Sequence, residues 1–243
     1  MDYSLSFQSR AHAYVDAVQR YPSALEEEFR IAVEMLDIQS TDILVTIPSG
    51  GVYIDSFIPT TVKNLRFEIQ ETFSNIDNVP LCTLQSIPCD SSSVTKILTL
   101  ACLHHTTNTE RITFYNECSR ILQPNGLLVI GDVLCGSEQD VWLNTIVNRY
   151  SSKGHCGTFF TEEDACIIES CGFDVTPILK TYRWNFSSDT DMILFFKQLM
   201  NLDLLEDLNI LKELLYKTFK IANSCVDWKL LYFVCKNIKM DTI

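Results

Sequence analysis

Apolar positions from Phe7 to Leu36 recur at helical spacing and break at RYPSALEEE, so this segment predicts two helices, with Pro22 in the first turn of the second. The pattern then changes. DILVTI, residues 42–47, is a continuous, partly β-branched apolar run, as expected of a parallel strand covered on both faces. After a glycine bend, VYIDSFI suits a short helix that Pro59 ends, NLRFEI a second strand, and ETFSNI a short helix or turn. LCTLQSIP reads as a weak third strand and loop, and TKILTLACL as a strong fourth strand. NTERITFYNECSRIL predicts a helix whose apolar face gathers Ile112, Tyr115, Cys118, Ile121 and Leu122.

In QPNG, Pro124 blocks helix extension and Asn125-Gly126 accepts positive φ, so the segment predicts a turn into another buried strand, LLVIGDVL. From Asp140 the rhythm shifts to a helix, VWLNTIVNRY, a loop, SSKGHCGTFF, and a helix in TEEDACIIESCGF with Thr161 as N-cap and Gly172 at its end. DVTPILKTY predicts a strand, residues 188–222 a Leu-rich helical stretch, and DWKLLYFVCKNI a final strand, antiparallel to the rest. Alternating strands and helices predict an α/β fold with a doubly wound, mostly parallel sheet.

Charge and cysteine usage narrow the partners. A formal net charge of -12 argues against nucleic acid, whose affinity rests on Lys and Arg contacts to phosphate, and no basic run offers a site for an anionic membrane. The 10 cysteines are scattered with no CxxC pair, which reads as free thiols in a reducing compartment. The first residues have no basic and apolar leader pattern, and no apolar run approaches the ~18 residues of a bilayer span, so a cytoplasmic location is expected. Metal binding has little support among 4 histidines without HExxH spacing, and IPSGG is neither a serine-hydrolase elbow nor a Walker loop.

One stretch carries a resemblance. Leu100–Val133 contains Leu103-His104-His105, an amphipathic helix, RILQPNG at Arg120–Gly126, and Asp132 at the end of the next strand. This resembles class I S-adenosylmethionine-dependent methyltransferases, and the similarity extends from about Thr41 to Lys236. The resemblance implies a Rossmann-like seven-stranded sheet with a helical cap. The implied boundaries are N-terminal cap helices at 1–40, a core at 41–187, a cap insertion at 188–225, and the final antiparallel strand at 226–243. It also implies S-adenosylmethionine as cofactor, held by Ser49, Gly50 and Gly51 in the bend and by Glu68 at the end of the second strand, with Glu71 as the alternative carboxylate. Ser86, Ile87 and Ala101 complete that cofactor set. The motif is reduced here: Pro48 and Ser49 stand where the family has Gly-Cys-Gly, and Thr83 and Thr95 replace two family aspartates.

Catalytic candidates are His104 and His105, at the carboxyl edge of the sheet where such folds place ligands, and His155, between Gly154 and Gly157 ahead of two phenylalanines, a setting that suits a lid. Each has a bland counterpart, as a loop-shaping or surface histidine, and Asp132 reads equally as a site group or a helix cap. Tyr182, Arg183 and Trp184 are candidates for a substrate pocket with Arg183 pairing a carboxylate, against a packing role for the aromatics. The leading expectation is methyl transfer to a small-molecule acceptor. Two alternatives stay open: a cofactor-independent cyclase or isomerase on the same scaffold, and a non-catalytic partner protein or homodimer using the Leu-rich segment as an interface.

Overall fold

The computed structural model describes residues 10–50 and 53–239. The chain forms two compact units, one from Met1–Glu28, Val133–Phe159 and Thr181–Lys229, the other from Phe29–Asp132, Phe160–Lys180 and Leu230–Ile243.

The second unit carries the doubly wound sheet. Its strands are β1 (Ile43–Thr46), β2 (Lys63–Arg66), β3 (Val94–Leu100) and β4 (Leu122–Asp132), joined by parts of β5 (Phe173–Asn185) and β7 (Cys225–Asn237). The order is β2-β1-β3-β4-β7-β5. β1 is parallel to β2 and β3, and β3 is parallel to β4. β7 runs antiparallel to β4, with Ile130 opposite Phe233 and Asp132 opposite Leu231. The apolar runs read from the sequence are therefore the buried strands: Leu44, Val45, Ile97, Val129 and Ile130 are fully buried. Gly131 must be glycine for β4 to sit here, since a Cβ would lie 2.6 Å from the Tyr232 ring and 2.7 Å from Leu100.

The expected third strand does not form. LCTLQSIP makes only a parallel bridge from Leu81 to Glu68 and a turn bridging Thr83 and Ser86. Thr83, Gln85 and Ser86 are exposed, and Pro80 and Pro88 withhold donors at either side, so nothing extends the ladder. The seventh strand is instead β6 (Ile221–Ala222), a short hairpin arm on β7 in the first unit.

Helices follow the predicted pattern with two corrections. α4 (Asn108–Ile121) starts on a capping box between Thr107 and Glu110. It buries Arg111, Phe114, Tyr115, Cys118 and Ile121, whereas Ile112 faces solvent. Arg111 takes the buried place expected of Ile112, its guanidinium lying over the Phe160 ring and its Nε donating to Leu103 O. α7 (Asp164–Glu169) begins later than read: the Thr161 hydroxyl and N–H both donate to Asp164 Oδ2, so Thr161 shapes the turn before the helix. Asn125 does take positive φ, at 64°, inside a bulge where the β3–β4 register shifts. α3 (Glu71–Asp77) and the 3-10 turn Tyr53–Phe57 complete this unit, along with most of α2 (Glu26–Glu34).

The first unit packs α1 (Ala11–Arg20), α5 (Glu138–Val141) with a π-helical continuation Trp142–Val147, α6 (Asn148–Tyr150), α8 (Asp189–Leu199) and α9 (Leu208–Thr218). Its centre is aromatic. Trp184 stacks on Trp228 at 3.9 Å, and Phe195, Phe196 and Phe219 surround them. No helix among the described residues is long and apolar enough to cross a membrane.

Thiol accessibility gives a direct check on this packing. Cys118 and Cys235 are fully buried, Cys135, Cys156 and Cys166 are exposed, and burial pushes the half-buried Cys82 thiol up to about 12. Iodoacetamide at mildly alkaline pH is expected to label Cys135, Cys156 and Cys166 quickly and Cys82 slowly. Cys118 and Cys235 should react only after denaturation. Rapid native labelling of Cys118, read by peptide mass spectrometry, would contradict the fold.

Candidate functional site

Parallel strands bring their carboxyl ends to one edge of the second unit's sheet, and the loops after β1, β2, β3 and β4 collect there. After β1, the bend holds Ser49 and Gly50; Gly51 lies outside the described residues. Gly50 has φ +60 and nothing within 4 Å of where a Cβ would sit, so the conformation, not crowding, selects glycine.

Glu68, just past β2, meets that bend. Its Oε1 accepts from Ser49 Oγ at 3.0 Å and from the Gly50 N–H at 2.7 Å, and Oε2 accepts from the Ile69 N–H at 3.1 Å. The carboxylate therefore fixes the shape of the bend. It is almost wholly buried, and burial holds its pKa above the usual carboxylate range although those hydrogen bonds pull it down. The folded-state pKa exceeds the 4.5 of a free glutamate, so the stability Glu68 contributes is fully present below that value and is lost as pH rises through the raised one. Glu68→Gln should flatten the stability-versus-pH curve above pH 4.5 in calorimetry; an unchanged slope would show that the group titrates normally.

Of the other cofactor candidates, Ser86 is exposed in a tight turn, with its N–H on Thr83 O at 3.1 Å. Ile87 is buried, and its N–H donates to Glu117 Oε1 at 2.8 Å. Arg120 grips the same carboxylate with two nitrogens at 2.7 Å and holds it below the usual range. Ala101 ends β3 exposed, at φ 49, with its N–H on Gly131 O at 2.7 Å. Thr95 occupies its position structurally, its hydroxyl bonding both the N–H and the carbonyl of Ile43.

His104 and His105 follow on a 3-10 turn, Leu103–His105, with ring centroids 3.8 Å apart. His104 is paired with Asp132 at the end of β4: Nδ1 lies 2.7 Å from Oδ1, and the His104 backbone N–H donates to Oδ2 at 3.0 Å. Both residues are buried. With Nδ1–H donated to the carboxylate, the lone pair of the neutral ring resides on Nε2. Asp132 is thus a partner of the histidine and not a helix cap. Beneath the turn, the buried Arg111 donates from Nε to Leu103 O at 3.1 Å, and its guanidinium sits 3.9 Å over the Phe160 ring. Sequence reasoning missed Arg111; an arginine at a position whose helical phase is buried was the available signal.

His155 belongs to the first unit and is pinned. Its N–H donates to Asn148 Oδ1 at 3.0 Å, its Nδ1 lies 3.2 Å from Asn144 Oδ1, and its ring stacks on Phe159. Asn144 also accepts from the Gly157 N–H and donates to Gly157 O, holding that residue by both of its backbone groups. The open, lid-like setting expected for this histidine gives way to a clamped one, because two asparagines on adjacent helical turns reach its backbone and ring.

The expected pocket of Tyr182, Arg183 and Trp184 is split by strand alternation. Tyr182 and Trp184 point into the first unit's core, and Trp184 Nε1 donates to buried Glu28 at 2.9 Å. Arg183 turns the other way, largely exposed, with its side chain near Asp227 at 3.8 Å.

Comparison with known proteins fits this frame. A profile described as methyltransferase domain matches residues 59–130. No curated protein matches the sequence. Among solved structures, one assigned as a methyltransferase from Haloferax volcanii, in complex with the Trm112 methyltransferase activator, is 13% identical, covers 97% of each chain and has a TM-score of 0.64. The cyclopropane synthase MmaA2 from Mycobacterium tuberculosis is 11% identical over 98% of this chain and 99% of its own, at 0.62. A protein of Bacillus halodurans assigned as a methyltransferase is 15% identical over 86% and 97%, at 0.56. Residues 59–130 match a methyltransferase-domain profile, and the chain has the Rossmann-like α/β fold of these solved structures.

Proposed function

We propose that the protein transfers a methyl group from S-adenosylmethionine to a small-molecule acceptor, with His104 as the proton acceptor. The observation that carries this reading is the buried His104–Asp132 pair on the same sheet edge as the Gly50 bend. The residues present fit the cofactor: Gly50 offers a bare Cα facing open space, Glu68 holds the bend in that conformation, and Ala101 ends β3 exposed. Ser49, Gly50, Ser86, Ile87 and Ala101 would hold it, with Glu68 shaping the bend.

When bound, S-adenosylmethionine supplies an electrophilic methyl group. The chain's own residues supply positioning and proton handling. Asp132 fixes the ring of His104 and keeps its proton on Nδ1, so that Nε2 receives the acceptor's proton and the resulting imidazolium is stabilised by the carboxylate. Arg111 braces the Leu103 carbonyl and so the turn that carries the histidine.

Isothermal titration with S-adenosylhomocysteine tests the reading. A saturable one-to-one heat is expected, and Gly50→Val, which forces a branched side chain into positive φ, should weaken it. No heat and no thermal shift at millimolar ligand would overturn it and favour a cofactor-independent enzyme on the same scaffold.

A further inference from the structure

The first unit buries polar atoms that no described residue satisfies. Gln139, on α5, has no solvent exposure, and neither its Oε1 nor its Nε2 has a hydrogen-bond partner among the described residues. Trp142 lies three residues on, so it shares a helix face with Gln139. It is equally buried, and its Nε1–H is likewise unmatched. Burying such groups without partners is costly, and native proteins keep few of them. Here two residues one helical turn apart both do so, where the helix passes into the π-helical segment Trp142–Val147. Segments of this kind often mark functional sites.

The surroundings define what would complete the set. The Trp142 ring meets Phe196 edge-on at 5.4 Å and lies tilted against Phe219 at 5.3 Å, so the indole's ring neighbours are flat and apolar. The charged groups of the same helix are engaged elsewhere: Glu138 pairs with Lys229 at 2.8 Å, and Asp140 accepts from the Gly136 N–H and from Asn144 Nδ2. The unmatched atoms are donors from an indole and an amide plus one amide acceptor. An amide edge complements that combination. A carboxylate could accept from the two donors, but it would bury a charge with no cation beside it and leave the Gln139 carbonyl unmatched; an ammonium would face the Trp142 donor.

We propose that Gln139 and Trp142 form the polar end of a buried subsite for a neutral, planar ligand with a carboxamide or lactam edge. The ligand's carbonyl accepts from Trp142 Nε1, its N–H donates to Gln139 Oε1, and its flat body packs toward Phe196 and Phe219. Cofactor binding is not needed for this inference, so the two readings stand or fall separately.

Benzamide is the probe, with benzoate as control, titrated into ¹⁵N-labelled full-length protein without cofactor. The Trp142 indole resonance is assigned by its loss in Trp142→Phe. Benzamide should shift that resonance saturably, benzoate should not, and Gln139→Met should weaken benzamide by about tenfold or more, as loss of paired buried hydrogen bonds does. In the ligand-free protein Gln139→Met should also leave the melting temperature unchanged or raised, since it removes unpaired atoms. An unresponsive indole, an equal response in Gln139→Met, or a melting temperature lowered by that variant would overturn the proposal. So would a crystal structure in which an ordered water alone joins the two side chains.

Discussion

His104→Ala is expected to lower kcat by about 10²–10⁴-fold, the range lost when a positioned proton acceptor is removed. Affinity for S-adenosylhomocysteine should hold within about twofold, because the loss falls on the chemical step and not on ground-state binding. Asp132→Asn should reproduce much of the defect. It keeps the shape of the side chain but takes the negative charge from beside Nδ1, so the ring loses its fixed tautomer and the stabilisation of its charged form. If both variants kept wild-type kcat with full stability, His104 and Asp132 would be a structural pair only. His105→Ala serves as the internal comparison: its ring lies against His104, with centroids 3.8 Å apart, and a smaller effect is expected.

The largest loss of stability is expected at Trp184. Trp184→Ala removes a ring that stacks on Trp228 and touches Phe195 and Phe196, and it takes the indole N–H away from buried Glu28. Core Trp→Ala changes cost about 3–5 kcal/mol. At roughly 2–4 °C per kcal/mol for a chain of this size, the melting temperature should fall by on the order of 10 °C. Trp184→Phe separates the two contributions, keeping an aromatic ring while losing the bond to Glu28, and should cost about 1–3 kcal/mol. A Trp184→Ala protein with wild-type stability and only a raised KM would instead return this residue to the acceptor pocket. Arg183→Ala, on the exposed face of the same strand, should change stability by no more than about 0–1 kcal/mol, as surface ion pairs do.

Much of the scaffold was legible because buried parallel strands leave an unambiguous trace. DILVTI, TKILTL and LLVIGD are apolar on both faces and became β1, β3 and β4. The last strand was legible as antiparallel because it follows a long helical excursion. LCTLQSIP was not, since its apolar residues are too few and its flanking prolines too close to decide between a strand and a single bridge. In the site, spacing located Glu68 but not its partners; a carboxylate at a strand end looks the same in sequence whether it faces a ligand or closes the bend beside it. The His104–Asp132 contact spans 28 positions and leaves no local pattern, so each residue was readable only as a polar group at a strand end. Arg111 and Gln139 were missed for a further reason: residues of their types are mostly exposed, and only the helical phase of Arg111 gave a sign of its burial.

The claim on which the functional account turns is that a two-glycine bend closed by Glu68 still admits an adenosyl group. A crystal structure with S-adenosylhomocysteine at saturating concentration tests it most directly. The account predicts ligand density against the Gly50 backbone at the carboxyl edge of β1, with the His104–Asp132 contact retained. An unchanged bend with no ligand along it would contradict the account and leave the fold without its methyl donor.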